Sequence, residues 1–267
     1  MRFTKMHGAG NDFIIIDTIR QTLPDRPFGE LAAELCRAHT SVGADGLMLV
    51  RPAQRGGDIA MLFFNSDGSM GEMCGNGARC ICRWAYEHGY SGSIQHVETT
   101  AGIVTGRRLD ASTYRVRLND PSVLELDKTV TADGRQIRCS YTELGDPGIP
   151  HAVVLMAGWE AMPREDLKKL GRALRYCPAF PKGANVTFAE LTSSDTVNAS
   201  TYERGVEDFT LACGTGCGST ALALSRLGLV SPESVSIRMP GGELSVAVTA
   251  EGIFLSGPTC TVFEGEL

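Results

Sequence analysis

The chain has 267 residues, 43% hydrophobic and 21% charged, a balance that excludes a disordered or fibrous polypeptide and suffices to bury a core. Its formal charge of −6 and pI near 5.4 argue against a nucleic-acid partner, which needs a cationic surface to displace counterions from phosphates. The longest apolar run near the N-terminus, residues 13–16, is too short for a signal segment or a membrane span, so a cytoplasmic protein without a membrane partner is expected.

In chain order, short apolar or β-rich runs bounded by Gly, Asp, Asn or Pro predict strands at residues 13–16, 47–50, 59–64, 96–99 and 114–118. Among them, residues 28–39 carry Leu31 and Leu35 at helical spacing and predict an outer helix. A second helix follows Cys74-Gly75-Asn76-Gly77, apolar nearly all round through Ala78, Cys80, Ile81, Cys82, Trp84, Ala85 and Tyr86, and hence buried. Residues 119–136, with Asp120-Pro121 and a polar Thr131-Ala132-Asp133-Gly134, read as a crossover. Beyond it, strands are predicted at 152–156, 186–191, 197–202, 235–239, 244–248 and 253–255, with an outer helix at 164–175. Cys213-Gly214-Thr215-Gly216 opens another helix of buried character.

The two cysteine motifs are offset by 213 − 74 = 139 residues, and the same offset aligns Gly89 with Gly228 and Gly102 with Gly241. Such a repeat predicts an α+β fold of two pseudo-symmetric lobes, each a mainly antiparallel, barrel-like β-shell around one buried helix. The boundaries expected are 1–118 for the lobe carrying Cys74, 119–136 for the crossover and 137–267 for the lobe carrying Cys213, with a return of the extreme C-terminus to the first lobe left open.

Nine cysteines are an odd number without a repeating framework, and a reducing compartment keeps them as thiols. No Cys-x-x-Cys occurs, and Cys80-x-Cys82 turns its side chains about 200° apart on a helix, so no structural metal is expected. Cys36, Cys80, Cys82, Cys139, Cys177, Cys217 and Cys260 read as small buried hydrophobes. Cys74 and Cys213 differ, because each precedes a Gly-x-Gly turn at a helix start, where the macrodipole and unpaired N–H groups favour a thiolate or a bound carboxylate. A helix terminus contributes about 0.3–2 kcal/mol, and lowering a thiol from about 8.5 to about 7 takes roughly 2 kcal/mol. A nearby base or ion pair must help, and His151 and Glu203 are the candidates in the second half. Two thiols around one anion cradle suit inversion of a carbon centre, one acting as thiolate base and the other as thiol acid. Neither Gly8-Ala9-Gly10 nor Gly214-Thr215-Gly216 has the third glycine of a dinucleotide fingerprint, and none of the five lysines stands in a setting that suggests a Schiff base, with Lys182 alone left open, so no cofactor is expected.

Asn65-Ser66-Asp67-Gly68-Ser69, Glu72-Met73-Cys74-Gly75-Asn76-Gly77, Glu203-Arg204-Gly205 and Ala212-Cys213-Gly214-Thr215-Gly216 together resemble the diaminopimelate epimerase family, as does the opening Lys5-Met6-His7-Gly8-Ala9-Gly10-Asn11-Asp12-Phe13. The resemblance spans the chain and implies a cytoplasmic, homodimeric enzyme, independent of pyridoxal phosphate, that interconverts LL- and meso-2,6-diaminopimelate in lysine and peptidoglycan-precursor synthesis. It implies Cys74 and Cys213 as the acid–base pair, with His151 and Glu203 modulating their pKa. Gly75, Asn76, Gly214 and Thr215 would hold the reacting carboxylate through their backbone, and Asn11, Asn65, Asn185, Glu203 and Arg204 would bind the remaining amino and carboxylate groups. Three places depart from the family pattern: Gly46, Ile149 before Pro150-His151, and a longer stretch over residues 206–211. They leave a racemase of another amino acid, such as histidine, as the alternative, with a redox or metal-binding cysteine protein more remote.

Overall fold

The computed structural model describes residues 1–71 and 74–267; Glu72 and Met73, part of the motif ahead of Cys74, lie outside the described residues. In chain order the elements are β1 (Arg2–Gly8), β2 (Asn11–Asp17), α1 (Phe28–Leu35), β3 (Gly46–Arg51), β4 (Ile59–Asn65), β5 (Met70–Gly71) and α2 (Gly75–Glu87). They continue with β6 (Ile94–Thr99), β7 (Gly102–Arg108), β8 (Thr113–Arg117), β9 (Pro121–Ala132), β10 (Arg135–Gly145) and β11 (Gly148–Leu155). A 3-10 turn and α3 (Arg164–Arg175) lead to β12 (Asn185–Leu191), β13 (Thr196–Tyr202), α4 (Gly214–Arg226), β14 (Val235–Met239), β15 (Gly242–Thr249), β16 (Gly252–Pro258) and β17 (Cys260–Glu266). The chain forms two compact units, one of Met1–Arg117 with Ser256–Leu267 and one of Leu118–Leu255.

In the first unit β2 runs parallel to β3 and β4 parallel to β6, while the β1–β2, β3–β4 and β6–β7 pairs are antiparallel. The second unit repeats this order with parallel β11–β12 and β13–β14 and antiparallel β12–β13 and β14–β15. Helix α2 packs against β1, β2, β6, β7 and β8, and α4 against β9, β10, β11, β12 and β15, so each central helix is wrapped by strands of its own unit. The outer helices bury one stripe: Leu31 and Leu35 of α1 join Ile14, Ile16, Leu47 and Leu49, and Leu167, Leu170 and Leu174 of α3 join Val186 and Phe188. Each such fully buried side chain contributes about 1.5–3 kcal/mol.

The structure departs from expectation in three places. Residues 119–136 are not a connection: β9 occupies most of them and pairs with β10 in a long hairpin. Its residues are mostly exposed, so no apolar alternation marks it. The predicted helix at 28–39 ends at Leu35, because His39 takes a positive φ and Gly43 N–H bonds back to Leu35 O. The return of the C-terminus that the sequence left open is what the structure has: residues 256–267 belong to the first unit, where β17 pairs antiparallel with β1 from Arg2↔Glu266 to His7↔Cys260. Cys260 on that strand is exposed, whereas Cys36, Cys80, Cys82, Cys139, Cys177 and Cys217 are buried. Burial pushes the Cys36 and Cys80 thiols up to about 12, as expected of inert core cysteines.

Candidate active site

Cys74 and Cys213 occupy the same local geometry. Each is the N-cap of its helix in extended backbone, with φ −124° and ψ 122° at Cys74 and φ −123° and ψ 107° at Cys213, and each is followed by glycine as the first helical residue. The second glycine of each motif is enforced by packing. A Cβ at Gly77 would collide with Met48 Cε, and one at Gly216 would lie 2.9 Å from Thr201 Oγ1. A bare backbone lets these first turns pack closely against their neighbours.

In the first unit, half-buried Cys74 donates its S–H to Asn11 Oδ1 at 3.3 Å. Asn76 Nδ2 donates to the same oxygen at 3.4 Å, and Asn11 Nδ2 donates to Asp45 Oδ2 at 2.5 Å. Thus Asn11, Cys74, Gly75 and Asn76 come together. Asn65 sits at the end of β4, opposite Gly46, where its Nδ2 donates to Ser69 Oγ at 3.0 Å; it takes part in its own turn and makes none of these bonds.

In the second unit the parallel register His151↔Asn185 brings β11 and β12 side chains together beneath α4. His151 is fully buried, and its Nε2 lies 2.9 Å from Thr215 Oγ1, which in turn lies 3.7 Å from Cys213 Sγ. Asn185 uses both ends of its amide: Nδ2 donates to Pro150 O at 3.2 Å, and Oδ1 accepts the Arg204 N–H at 2.8 Å. The Arg204 side chain is exposed, with Nη1 3.0 Å from Lys182 O. Glu203 accepts from Thr210 Oγ1 at 2.5 Å. His151, Asn185, Glu203, Arg204, Cys213, Gly214 and Thr215 therefore share one neighbourhood.

Burial, with a smaller push from the negative charge of Glu203, raises Cys213 well above the usual thiol range; the Thr215 hydroxyl and the Gly216 N–H act the other way. Burial, and secondarily the Arg204 charge, lower His151 to about 3, so the ring is neutral. Desolvation at Cys213 thus opposes the thiolate that the helix entrance favours.

Sequence reasoning missed three contributors. Asp45 stands in an exposed loop with no motif to mark it, and Arg79, fully buried, sits inside a helix that reads as apolar. Arg79 Nη2 donates to Asn76 Oδ1 at 3.0 Å. Glu143 is buried beside Tyr141 and Lys182, with Lys182 Nζ 2.7 Å from its Oε2. Among the described residues, no group of three or more His, Cys, Asp or Glu is placed to hold a metal ion. No helix among them is long and apolar enough to cross a membrane.

The family model of diaminopimelate epimerase matches residues 3–120 and 145–262, most of both halves. The chain belongs to the diaminopimelate epimerase family. It is similar to the diaminopimelate epimerase of Aquifex aeolicus (strain VF5), 40% identical over 100% of this chain and 98% of that one. It is also similar to that of Archaeoglobus fulgidus, 37% identical over 99% and 95% of the two chains. In fold it resembles a probable proline racemase from Agrobacterium radiobacter K84 with bound carbonate, TM-score 0.75 at 18% identity, covering 100% of this chain and 92% of that one. A hydroxyproline epimerase from Agrobacterium vitis with bound trans-4-hydroxy-L-proline gives a TM-score of 0.72 at 19% identity, covering 100% and 90%. The α+β fold of this diaminopimelate epimerase family member is therefore shared with enzymes that act on other amino acids.

Proposed function

We propose that the protein interconverts LL- and meso-2,6-diaminopimelate, with Cys74 and Cys213 exchanging the α-proton without pyridoxal phosphate. The observation that carries this reading is the pair of cysteines in matching helix-entrance geometry, in a chain that matches the epimerase family over both halves. In one direction the Cys213 thiolate takes the α-proton and Cys74 S–H delivers another to the opposite face of the carbon. In the other direction the roles reverse. Charge that develops on the reacting carboxylate as the C–H bond breaks is stabilised by the first-turn N–H groups of Gly75, Asn76, Gly214 and Thr215.

Cys213 must lose its proton to act as base, and Glu203 opposes this. A substrate ammonium group paired with Glu203 removes that opposition and adds a positive charge, so binding lowers the thiol pKa where the base is needed. Arg204 clamps the distal carboxylate, and Asn11, Asn65 and Asn185 complete the polar contacts. All five lysines are ion-paired, Lys5 with Asp12, Lys128 with Glu125, Lys168 with Asp208, Lys169 with Asp133 and Lys182 with Glu143, which supports chemistry without a Schiff base. The proposal extends to a cytoplasmic homodimer serving lysine and peptidoglycan-precursor synthesis, with no nucleic-acid or membrane partner.

Incubation with LL-diaminopimelate in deuterium oxide tests the reading. The meso product should carry α-deuterium, and Cys74→Ala and Cys213→Ala should each abolish its formation. Ile149 favours a second reading, because two residues before His151 on β11 it presents an apolar side chain on the His151 side. Exchange with histidine and none with diaminopimelate would establish that alternative.

A further inference from the structure

The geometry points to Asp45 and Arg79 as positioning residues that lock two amides between opposite charges and so hold Cys74 as a thiol in the free enzyme. An amide side chain can present either its oxygen or its NH2 to a neighbour, and its surroundings decide which. At Asn11 the choice is set from one side: burial pushes Asp45 up while hydrogen bonds from the Asn11 amide and the Asp12 N–H act the other way, and as a carboxylate its Oδ2, 2.5 Å away, only accepts and so faces Asn11 Nδ2. At Asn76 it is forced from the other, since a guanidinium donates only and Arg79 Nη2 at 3.0 Å must face Asn76 Oδ1. The two amides then meet in a single sense, Asn76 Nδ2 donating to Asn11 Oδ1 at 3.4 Å. Donation runs one way from Arg79 through Asn76 and Asn11 to Asp45. Cys74 Sγ, 3.3 Å from Asn11 Oδ1, faces a pure acceptor and is served best by keeping its proton.

Hydrogen bonds and an ion pair tie together the frame around the chain. Asp45 and Asp12 exchange hydrogen bonds, Asp12 N–H to Asp45 Oδ2 at 3.1 Å and Asp45 N–H to Asp12 Oδ1 at 2.9 Å. Lys5 ties Asp12 down at 2.6 Å and also bonds Gly43 O. Among the described residues of this unit, the titratable and charged groups around Asn11 and Cys74 include Lys5, Asp12 and Asp45 on the strand side, Cys36 behind them, and Arg79 and Cys80 on α2. The inference rests on Cys74 being an acid–base group of the proposed reaction.

The test is the pH dependence of Cys74 alkylation by iodoacetamide, read by peptide mass spectrometry in wild type, Asp45→Asn, Asn11→Ala and the double variant. In Asp45→Asn the new amide no longer compels Asn11 to turn its oxygen toward the sulfur, so the alkylation midpoint moves to lower pH and the rate near neutral pH rises about three- to tenfold. In the Asn11→Ala background the same substitution should add nothing, because Asp45 acts through that amide. Unchanged alkylation in Asp45→Asn overturns the proposal, and so does an equal rise in the Asn11→Ala background, which would make Asp45 a bare charge. Arg79→Lys keeps a donor for Asn76 and should retain wild-type alkylation; if Arg79→Met unfolds, the Asp45 cycle decides alone. Alkylation is read without substrate, so failure of the diaminopimelate assay and failure of the amide lock are separate results.

Discussion

Replacing Thr215 with Val removes one oxygen and keeps the shape of the side chain. When Cys213 is a thiolate its sulfur can only accept, so the Thr215 hydroxyl 3.7 Å away must donate to it. The hydroxyl oxygen then accepts from His151 Nε2 at 2.9 Å, which puts the ring proton on Nε2 and leaves Nδ1 bare. The buried His151 Nδ1 indeed has no hydrogen-bond partner among the described residues. A donor to a charged sulfur contributes about 1.5 kcal/mol, at the lower end for charged groups, and 1.36 kcal/mol corresponds to one pKa unit. Thr215→Val should therefore raise the free-enzyme pKa of Cys213 by about one unit. Activity needs the thiolate, so the acidic limb of kcat/KM, in the direction that uses Cys213 as base, shifts up by that amount. Below the limb the rate falls about tenfold; well above it the loss vanishes. Thr215→Ser, which keeps the hydroxyl, should track wild type. A Val variant with the wild-type limb, or a Ser variant as impaired as Val, would refute the relay from His151 to Cys213.

Arg204→Met should lower kcat/KM for diaminopimelate by about 2–5 kcal/mol, because it leaves the distal carboxylate unmatched; equal losses on an amino acid without that group would show Arg204 to be structural. His151, lowered to about 3 from an ordinary 6.5, binds a proton only after unfolding across that interval, so its contribution to stability is lost as pH falls below about 6.5, at about 1.4 kcal/mol per pH unit. Urea unfolding at stepped pH should find that dependence flattened in His151→Gln, and an unchanged slope would mean the ring is charged in the fold. Gly68→Ala should destabilise the first unit by about 2–4 kcal/mol, since φ is +87° there and the new Cβ would run into the backbone oxygen of Gly29. A thermal midpoint unaltered by that change would mean the turn carrying Asn65 relaxes without cost.

What the sequence determined by itself is local in origin. A cysteine before Gly-x-Gly and an apolar stretch specifies a helix start whatever surrounds it, and the 139-residue offset carried that specification to both Cys74 and Cys213. Helix α3 was legible to the residue because Leu167, Leu170 and Leu174 mark one buried stripe. Strands buried on a face, such as β3 and β12, announced themselves through their apolar runs. Strand β17 did not, because it is held by pairing with β1 from the opposite end of the chain, and backbone hydrogen bonds leave no mark on side-chain pattern. The same holds for polar groups whose meaning is their partner. Asp45, 34 residues from Asn11, and Arg79, buried where a charge would be ruinous alone, acquire roles only when folding brings acceptor and donor within hydrogen-bond distance. Composition also could not reveal that the Cys213 thiol is pushed up, since desolvation is a property of the packed unit and acts against the helix entrance that the motif supplies.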